Sequence, residues 1–228
     1  DSGHKAISGV VFPWLHSNAG QIHTYRFYFH SIMIIYLHGF NSSGASAKGQ
    51  FLREHLDDIT VLTPSYYYNP TRTVAMLREL IEQSLRLDNN LLLAGSSLGG
   101  FYTQYLAREY SLKNVLINPA LLPLATLENY LGENVNYYTG ERYILNREHL
   151  AALEALDVPQ PCESALPTLL LLDKGDEVLD YRVALGRYHD CAKICLFEDG
   201  DHAFQHMPDS LPAIRELHDR PWSGSGTD

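Results

Sequence analysis

The chain contains six short runs in which most residues are apolar, and segments with a helical pattern lie between them. The runs cover residues 33–37, 59–62, 91–94, 114–118, 168–172 and 193–197. A continuous apolar run is typical of a strand that is buried on both faces of a parallel sheet. The pattern therefore predicts six sheet strands.

Apolar residues with helical spacing separate these runs. The predicted helices cover residues 47–56, 73–87 and 101–109, a segment that ends near 188, and residues 210–217. Strands that alternate with helices indicate right-handed crossovers and a mostly parallel sheet with helices on both faces. The fold class is therefore α/β, and polar residues that follow the strands should meet at one edge of the sheet.

Three segments depart from this pattern. Residues 120–165 lose the core-strand pattern and contain tyrosines among polar residues, which predicts a cap-like insert of short helical pieces within a domain spanning 32–218. Residues 1–31 are expected to be an extension outside the catalytic core, with a possible added edge strand at 24–29. Residues 219–228 are expected to form a flexible tail.

Length and charge narrow the classes of protein that fit. A chain of 228 residues suits a single α/β domain. Its formal net charge of -10 argues against a nucleic-acid partner and against adsorption to anionic lipid. No stretch has the roughly 18 apolar residues of a membrane helix, so we expect no stable membrane insertion.

Three cysteines, at positions 162, 191 and 195, suggest no disulfide framework, which would suit a cytoplasmic protein. Cys191 and Cys195 lie four residues apart with His189 nearby, but no second ligand pair is evident. Structural thiols are therefore favoured over a zinc site.

The apolar run at 91–94 leads into Gly95-Ser96-Ser97-Leu98-Gly99, and a helical segment follows. This is the G-x-S-x-G nucleophile elbow, in which a strand reverses sharply into a helix and glycines are needed two residues before and after the serine. Ser97 fits that spacing, whereas Ser96 would have Leu98 at its second following position. Ser97 is the candidate nucleophile.

A serine nucleophile needs a base and a group that orients the base. On the hydrolase fold the order along the chain is serine, acid, histidine. His202, after the last predicted strand, is the candidate base, and His206 is the weaker alternative. Asp176 is the candidate acid, with Asp180 second because it resembles a helix N-cap.

Other nearby carboxylates fit less well: Asp173 is expected to end a strand, and Asp201 should point away from the histidine. The oxyanion needs two backbone N–H donors. One should belong to Leu98, directly after the nucleophile, and the other to Phe40 in the loop after the first strand.

Several motifs occur in order along residues 33–217 and together resemble the YqiA/YcfP-like family of small bacterial α/β-hydrolases. These motifs are Tyr36-Leu37-His38-Gly39-Phe40-Asn41-Ser42-Ser43, Gly95-Ser96-Ser97-Leu98-Gly99-Gly100, Asn118-Pro119-Ala120, Tyr130-Leu131-Gly132, Tyr138-Thr139-Gly140, Gly175-Asp176-Glu177-Val178-Leu179-Asp180-Tyr181 and Asp201-His202-Ala203-Phe204. The resemblance implies a cytoplasmic bacterial esterase for short or fatty acyl esters, acyl-CoA thioesters included, without metal or cofactor.

Together these patterns predict a serine esterase or thioesterase that acts on a small-molecule acyl substrate through an acyl-enzyme. The insert, with Tyr66, Tyr67 and Tyr68, could shape an acyl pocket. Three alternatives stay open: a triad hydrolase for another bond type, a non-catalytic binding protein with this fold, and a structural partner protein. The sequence leaves the oligomeric state and the physiological substrate undetermined.

Overall fold

The computed structural model describes residues 33–222. The strands are β1 (Met33–Leu37), β2 (Thr60–Leu62), β3 (Leu91–Ser97), β4 (Lys113–Pro119), β5 (Gly132–Val135), β6 (Arg142–Leu145), β7 (Thr168–Asp173) and β8 (Ala192–Phe197). The helices are α1 (Ala47–His55), α2 (Pro70–Leu87), α3 (Leu98–Tyr110), α4 (Pro123–Leu127), α5 (Arg147–Glu154), α6 (Tyr181–Tyr188) and α7 (Met207–Asp219).

Six strands form one sheet in the order β2-β1-β3-β4-β7-β8, and every neighbouring pair in it is parallel. These are the six strands that the apolar runs predict, with ends that differ by one or a few residues. Because all strands point the same way, the loops that follow β1, β3, β4, β7 and β8 meet at one edge. That edge is where a parallel α/β sheet places its site.

Helices cover both faces of the sheet, as predicted. Ile34 and Tyr36 of β1 pack on one face with residues of α1 and α7, while Met33 and Ile35 pack on the other with residues of α2 and α3. Successive strand side chains point to opposite faces, so an unbroken apolar run supplies both cores.

The insert contains an antiparallel hairpin, β5–β6, that the sequence analysis did not predict. Tyr143 and Leu145 of β6 are buried, but Ile144 between them is 61% exposed. The hairpin therefore lacks the alternation of apolar and polar residues by which a half-buried strand is recognised. For this reason the prediction of short helical pieces in the insert omitted the hairpin.

The prediction about the cysteines was wrong. Cys162 and Cys191 form a disulfide, with their Cα atoms 5.4 Å apart, and Cys195 is the free thiol in the described part of the chain. Cys162 lies in a short 3-10 helix at the end of the insert, and Cys191 lies between α6 and β8. Only tertiary packing brings these segments together, so sequence spacing could not reveal the pair.

Within residues 33–222, no helix is long and apolar enough to cross a membrane. The possible edge strand at 24–29 lies outside the described residues.

Candidate active site

Ser97 lies at the junction of β3 and α3, with backbone angles φ 54° and ψ -123°. A positive φ is uncommon for a residue with a side chain and is maintained by its surroundings. A Cβ on Gly95 would lie 2.3 Å from Gly99 O, and one on Gly99 would lie 2.1 Å from Leu37 O. Only glycine fits at these two positions, as the elbow motif requires.

His202 follows β8 and lies between Ser97 and Asp176. Its Nε2 is 3.1 Å from Ser97 Oγ, and its Nδ1 is 2.9 Å from Asp176 Oδ2. Because a carboxylate only accepts, Nδ1 carries the proton that is donated to Asp176, and Nε2 is free to accept the serine proton. The structure thus joins the three predicted side chains in one hydrogen-bonded chain, with the Asp176 side chain only 2% exposed.

Two less favoured carboxylates, Asp180 and Asp201, have other partners. Asp180 is the N-cap of α6, where its side chain accepts from Arg182 N at 3.0 Å. Asp201 Oδ2 accepts from the side-chain amide of Gln205 at 2.6 Å. The hydrogen bond of His202 Nδ1 goes to Asp176 and to neither of these carboxylates, so Asp176 is the acid that the geometry favours.

His206, the weaker candidate base, pairs with a different carboxylate. Its Nδ1 lies 2.7 Å from Asp173 Oδ1, while Asp173 Oδ2 accepts from Gln205 N at 2.9 Å. Asp173 is fully buried at the end of β7, and the His206 ring stacks on Phe197 at 4.3 Å. This second Asp–His pair anchors the segment directly after His202 to the sheet.

Sequence reasoning missed two further residues that hold the His202 loop. Asn118, at the end of β4, accepts from Asp173 N at 2.9 Å and donates to Asp201 O at 3.0 Å. Glu177 Oε2 accepts from His202 N at 3.0 Å. Asn118 lies in the motif Asn118-Pro119-Ala120, but its type alone gave no sign of this bridge.

The two predicted oxyanion donors belong to backbone segments that lie close to Ser97. Leu98 is the first residue of α3, so its N–H has no acceptor within the helix. Gly39 packs closely against Ser97, since a Cβ on Gly39 would lie 3.2 Å from Ser97 Cβ. Phe40 follows Gly39 directly, so both donors belong to backbone adjacent to the serine.

A cavity of about 30 Å³ adjoins these donors. Its walls come from residues 38–42, the aromatic segment 66–68, α3 and the hairpin. The lining residues are His38, Gly39, Phe40, Asn41, Ser42, Tyr66, Tyr67, Tyr68, Leu98, Tyr102, Asn136, Glu141 and Tyr143. Apart from Glu141, no lining side chain is a carboxylate, a lysine or an arginine.

Burial sets the charge state of the cavity walls. Desolvation lowers the pKa of His38 to about 4, although its hydrogen bond to Gly39 O acts in the opposite direction. Its Nδ1–H donates to that carbonyl at 2.9 Å, and its ring stacks on Tyr66 at 3.9 Å. Burial also raises the pKa of Tyr66 well above its usual range. The side chains of His38 and Tyr66 are therefore both neutral near pH 7.

Within residues 33–222, no group of three His, Cys, Asp or Glu side chains is arranged to hold a metal ion.

The family described as "Uncharacterised protein family (UPF0227)" matches residues 33–219. The chain belongs to the UPF0227 family. This confirms the resemblance to YqiA/YcfP-like proteins. A UPF0227 protein of Shewanella woodyi is 28% identical over 193 residues, covering 80% of this chain and 97% of the relative. UPF0227 protein YcfP of Salmonella arizonae is 24% identical over 192 residues, covering 80% and 97%.

Solved structures of other proteins show the same fold. Est1E from Butyrivibrio proteoclasticus, with ferulic acid bound, superposes with a TM-score of 0.67 at 17% identity, over 81% of this chain and 87% of that chain. Alpha/beta hydrolase domain-containing protein 10 from mouse has a TM-score of 0.61 at 16% identity, over 82% and 88%. The Paleococcus ferrophilus monoacylglycerol lipase has a TM-score of 0.61 at 15% identity, over 82% and 93%. The predicted α/β-hydrolase fold is confirmed for this UPF0227 member.

Proposed function

We propose that this protein is a serine hydrolase that cleaves carboxylic esters through an acyl-enzyme intermediate. The observation that carries the proposal is the hydrogen-bonded chain Ser97–His202–Asp176 beside two backbone donors. Solved proteins of this fold include a monoacylglycerol lipase, which supports ester hydrolysis as the reaction class.

In the first half of the reaction, His202 Nε2 takes the proton of Ser97 Oγ as the oxygen attacks the ester carbonyl carbon. The N–H groups of Phe40 and Leu98 stabilise the oxyanion of the tetrahedral intermediate. As that intermediate collapses, His202 gives the proton to the leaving alcohol, and the acyl group stays on Ser97. Water then repeats the sequence, releasing the carboxylic acid and the free serine. Asp176 holds the tautomer of His202 and stabilises its cation.

The cavity suits the acyl group. Because the leaving alcohol must receive its proton from His202 Nε2, that part of the substrate lies on the side of His202. The cavity is lined instead by the loop after β1, by the tyrosine segment and by the hairpin. The cavity is small, at about 30 Å³. We therefore propose short, uncharged acyl groups as substrates.

The part of the protein that would face the leaving group, around His202, favours an alcohol over coenzyme A. Residues 173–182 and 198–206, the loops that flank His202, contain seven carboxylates, of which Asp173 and Asp176 have buried side chains, and two basic side chains, Lys174 and Arg182. Coenzyme A carries several phosphate charges, which such a surface repels. Among the expected substrates, we therefore place simple esters ahead of acyl-CoA thioesters.

The first experiment combines a fluorophosphonate probe, mass-spectrometric mapping of the adduct and hydrolysis of p-nitrophenyl butyrate. We expect the label on Ser97 and turnover that falls by at least about 10³-fold in Ser97→Ala. Ser96→Ala is the matched control, because it removes a hydroxyl one residue away and should keep both label and turnover. Folded protein with neither label nor turnover would point to the non-catalytic binding protein.

A second experiment compares substrates. The ratio kcat/KM should be higher for p-nitrophenyl acetate and butyrate than for the octanoate, and higher for an alkyl butyrate than for butyryl-CoA. A preference for long chains or for the CoA thioester would contradict the proposed substrate class while leaving the serine mechanism intact.

A further inference from the structure

The hairpin of the insert is bonded to the segment that carries the oxyanion donor Phe40. We call residues 38–44 the oxyanion loop. Asn136, directly after β5, donates from Nδ2 to Ser42 O at 2.9 Å. The same side chain accepts, at Oδ1, from Tyr138 N at 2.9 Å and Thr139 N at 3.0 Å. One amide therefore shapes the hairpin turn and binds the oxyanion loop.

Tyr143 forms the second link. Its hydroxyl donates to Asn41 Oδ1 at 2.5 Å, across 102 positions of sequence. The Tyr143 ring is 7% exposed and stacks on Tyr68 at 4.2 Å, so the hydroxyl is held in a fixed position. Its ring also meets Phe40 edge-on, with centroids 6.5 Å apart.

Both links reach residues that directly follow Phe40. Asn41 has φ 53°, a left-handed conformation that few non-glycine residues adopt and that asparagine tolerates best. The other side of the loop is held by Tyr66, which donates to His38 O, and by Ser65, whose Oγ accepts from Gly44 N at 2.9 Å. The loop is thus fixed from two sides, and the insert supplies one of them.

The position of the Phe40 N–H matters because oxyanion stabilisation requires a donor about 2.7–3.1 Å from the developing charge. A displacement of about 1 Å at such a group can cost on the order of 10²-fold in rate. Within residues 33–222, the hydrogen bonds of Asn41 and Ser42 go to Tyr143 and Asn136 of the insert, so the orientation of both residues depends on these hairpin contacts.

We propose that Asn136 and Tyr143 are positioning residues that hold the oxyanion loop in its catalytic conformation. The insert thereby acts on the chemical step as well as on the acyl pocket. This inference rests on the proposed function, because it assigns the hairpin a task in the same reaction.

The test uses two variants that each remove one link. Tyr143→Phe keeps the ring and loses the hydroxyl, and Asn136→Asp keeps the turn-forming oxygen and loses the donor to Ser42. Each should lower kcat for p-nitrophenyl butyrate by about 10- to 100-fold, with KM within about threefold.

Two matched controls carry the same substitutions within the insert. Asn134 Nδ2 donates to Tyr130 O and Gly132 O, both of which lie inside the insert, and Tyr137 is 82% exposed. Asn134→Asp and Tyr137→Phe should therefore keep kcat within about twofold. If Tyr143→Phe does not fold, Asn41→Gly removes the same hydrogen bond from the other side, and glycine accepts the positive φ.

A transition-state analogue separates positioning from loss of structure. A trifluoromethyl ketone forms an oxyanion on the serine, so its Ki should rise by the factor by which kcat/KM falls. Titration with a fluorophosphonate counts the active sites, so unfolded protein does not enter the rates.

The inference is overturned if the wild-type enzyme turns over and the two variants match their controls in kcat and Ki. It is also overturned if the loss of rate equals the loss of titratable sites. An inactive wild type would instead defeat the proposed function, and the assignment of the hairpin with it.

Discussion

The side chain of Asp176 accepts hydrogen bonds from His202 Nδ1 and from the backbone N–H groups of Val178 and Leu179. Asp180, four residues on, caps α6 and does not reach the histidine. Both carboxylates follow the same strand, yet their partners differ because Asp176 turns towards the sheet edge while Asp180 begins a helix. Chain order alone left both as candidate acids.

Asp176→Asn and Asp180→Asn test this difference. The first should lower kcat for p-nitrophenyl butyrate by about 10³- to 10⁴-fold, because an amide no longer fixes the correct tautomer of His202. The second should leave kcat within about threefold, since asparagine is also a good N-cap. Equal losses in both variants, measured at matched active-site concentration, would contradict the assignment of the acid.

His38 is the first residue of the oxyanion loop and is 3% exposed. Desolvation holds its folded-state pKa at about 4, below the ordinary value of 6.5. Between these two values the unfolded chain binds a proton that the folded protein does not, so stability falls as the pH falls from 6.5 towards 4.

We expect urea unfolding at pH 7 and pH 4.5 to measure this contribution of His38 to the unfolding free energy. Between the two, the wild-type protein should lose about 2 kcal/mol more of its unfolding free energy than His38→Gln, which cannot titrate. Parallel losses in the two proteins would show that His38 does not titrate as its burial implies.

Helix α7 is joined to the sheet by a buried lysine. Lys113, at the start of β4, is 1% exposed and donates from Nζ to His218 O at the end of the helix, to Arg220 O at 2.9 Å and to Asn90 Oδ1 at 2.7 Å. A cation near the last carbonyls of a helix is also favourable for the helix dipole. Because α7 covers one face of the sheet, this side chain fixes one layer of the fold.

Lys113→Met should lower the unfolding free energy by about 2–4 kcal/mol, since three acceptors lose their charged partner. Lys193→Met is the control, because Lys193 is exposed and pairs with exposed Glu216, and it should cost under about 0.5 kcal/mol. Chemical denaturation measures both. A cost for Lys113→Met no larger than that of the control would contradict this account of α7.

At the scale of the whole molecule, the disulfide between Cys162 and Cys191 joins the end of the insert to the edge of the sheet. It spans a sequence separation of 29 residues, and the loop that it closes contains β7, the candidate acid Asp176 and α6. The pairing removes the argument for a cytoplasmic location that rested on free thiols. That location, like the division into an extension, a 32–218 domain and a tail, stays a prediction.

Reduction of the purified protein should lower its unfolding free energy by about 2–4 kcal/mol, as closing a loop of this length predicts. The double variant Cys162→Ser/Cys191→Ser should have the stability of the reduced protein and should not respond to reductant. Thermal unfolding with and without reductant measures the effect. An identical melting temperature in both conditions would contradict the disulfide.

Local patterns in the sequence determined the six sheet strands, most of the helices and the elbow at Ser97. These features depend on short-range periodicity and on sterics within a few residues, so a single chain reveals them. The order serine, acid, histidine along the chain then limited the candidate acid and base to a few residues. The predicted ends of helices and strands differ from the observed ends by a few residues. Helix α2 begins at Pro70, three residues before the predicted start, because Asn69 caps it and proline suits the first turn.

Tertiary structure alone decided the contacts between distant segments. It paired Cys162 with Cys191, directed His206 to Asp173, and used Asn118 to bridge β7 and the His202 loop. It also placed the Tyr143 hydroxyl within hydrogen-bonding distance of Asn41. The sequence pattern did not predict the strand that contains Tyr143, because Ile144 breaks the alternation of apolar and polar residues. Each of these contacts joins residues far apart in sequence, and its geometry follows from the order of strands in the sheet, which no local periodicity encodes.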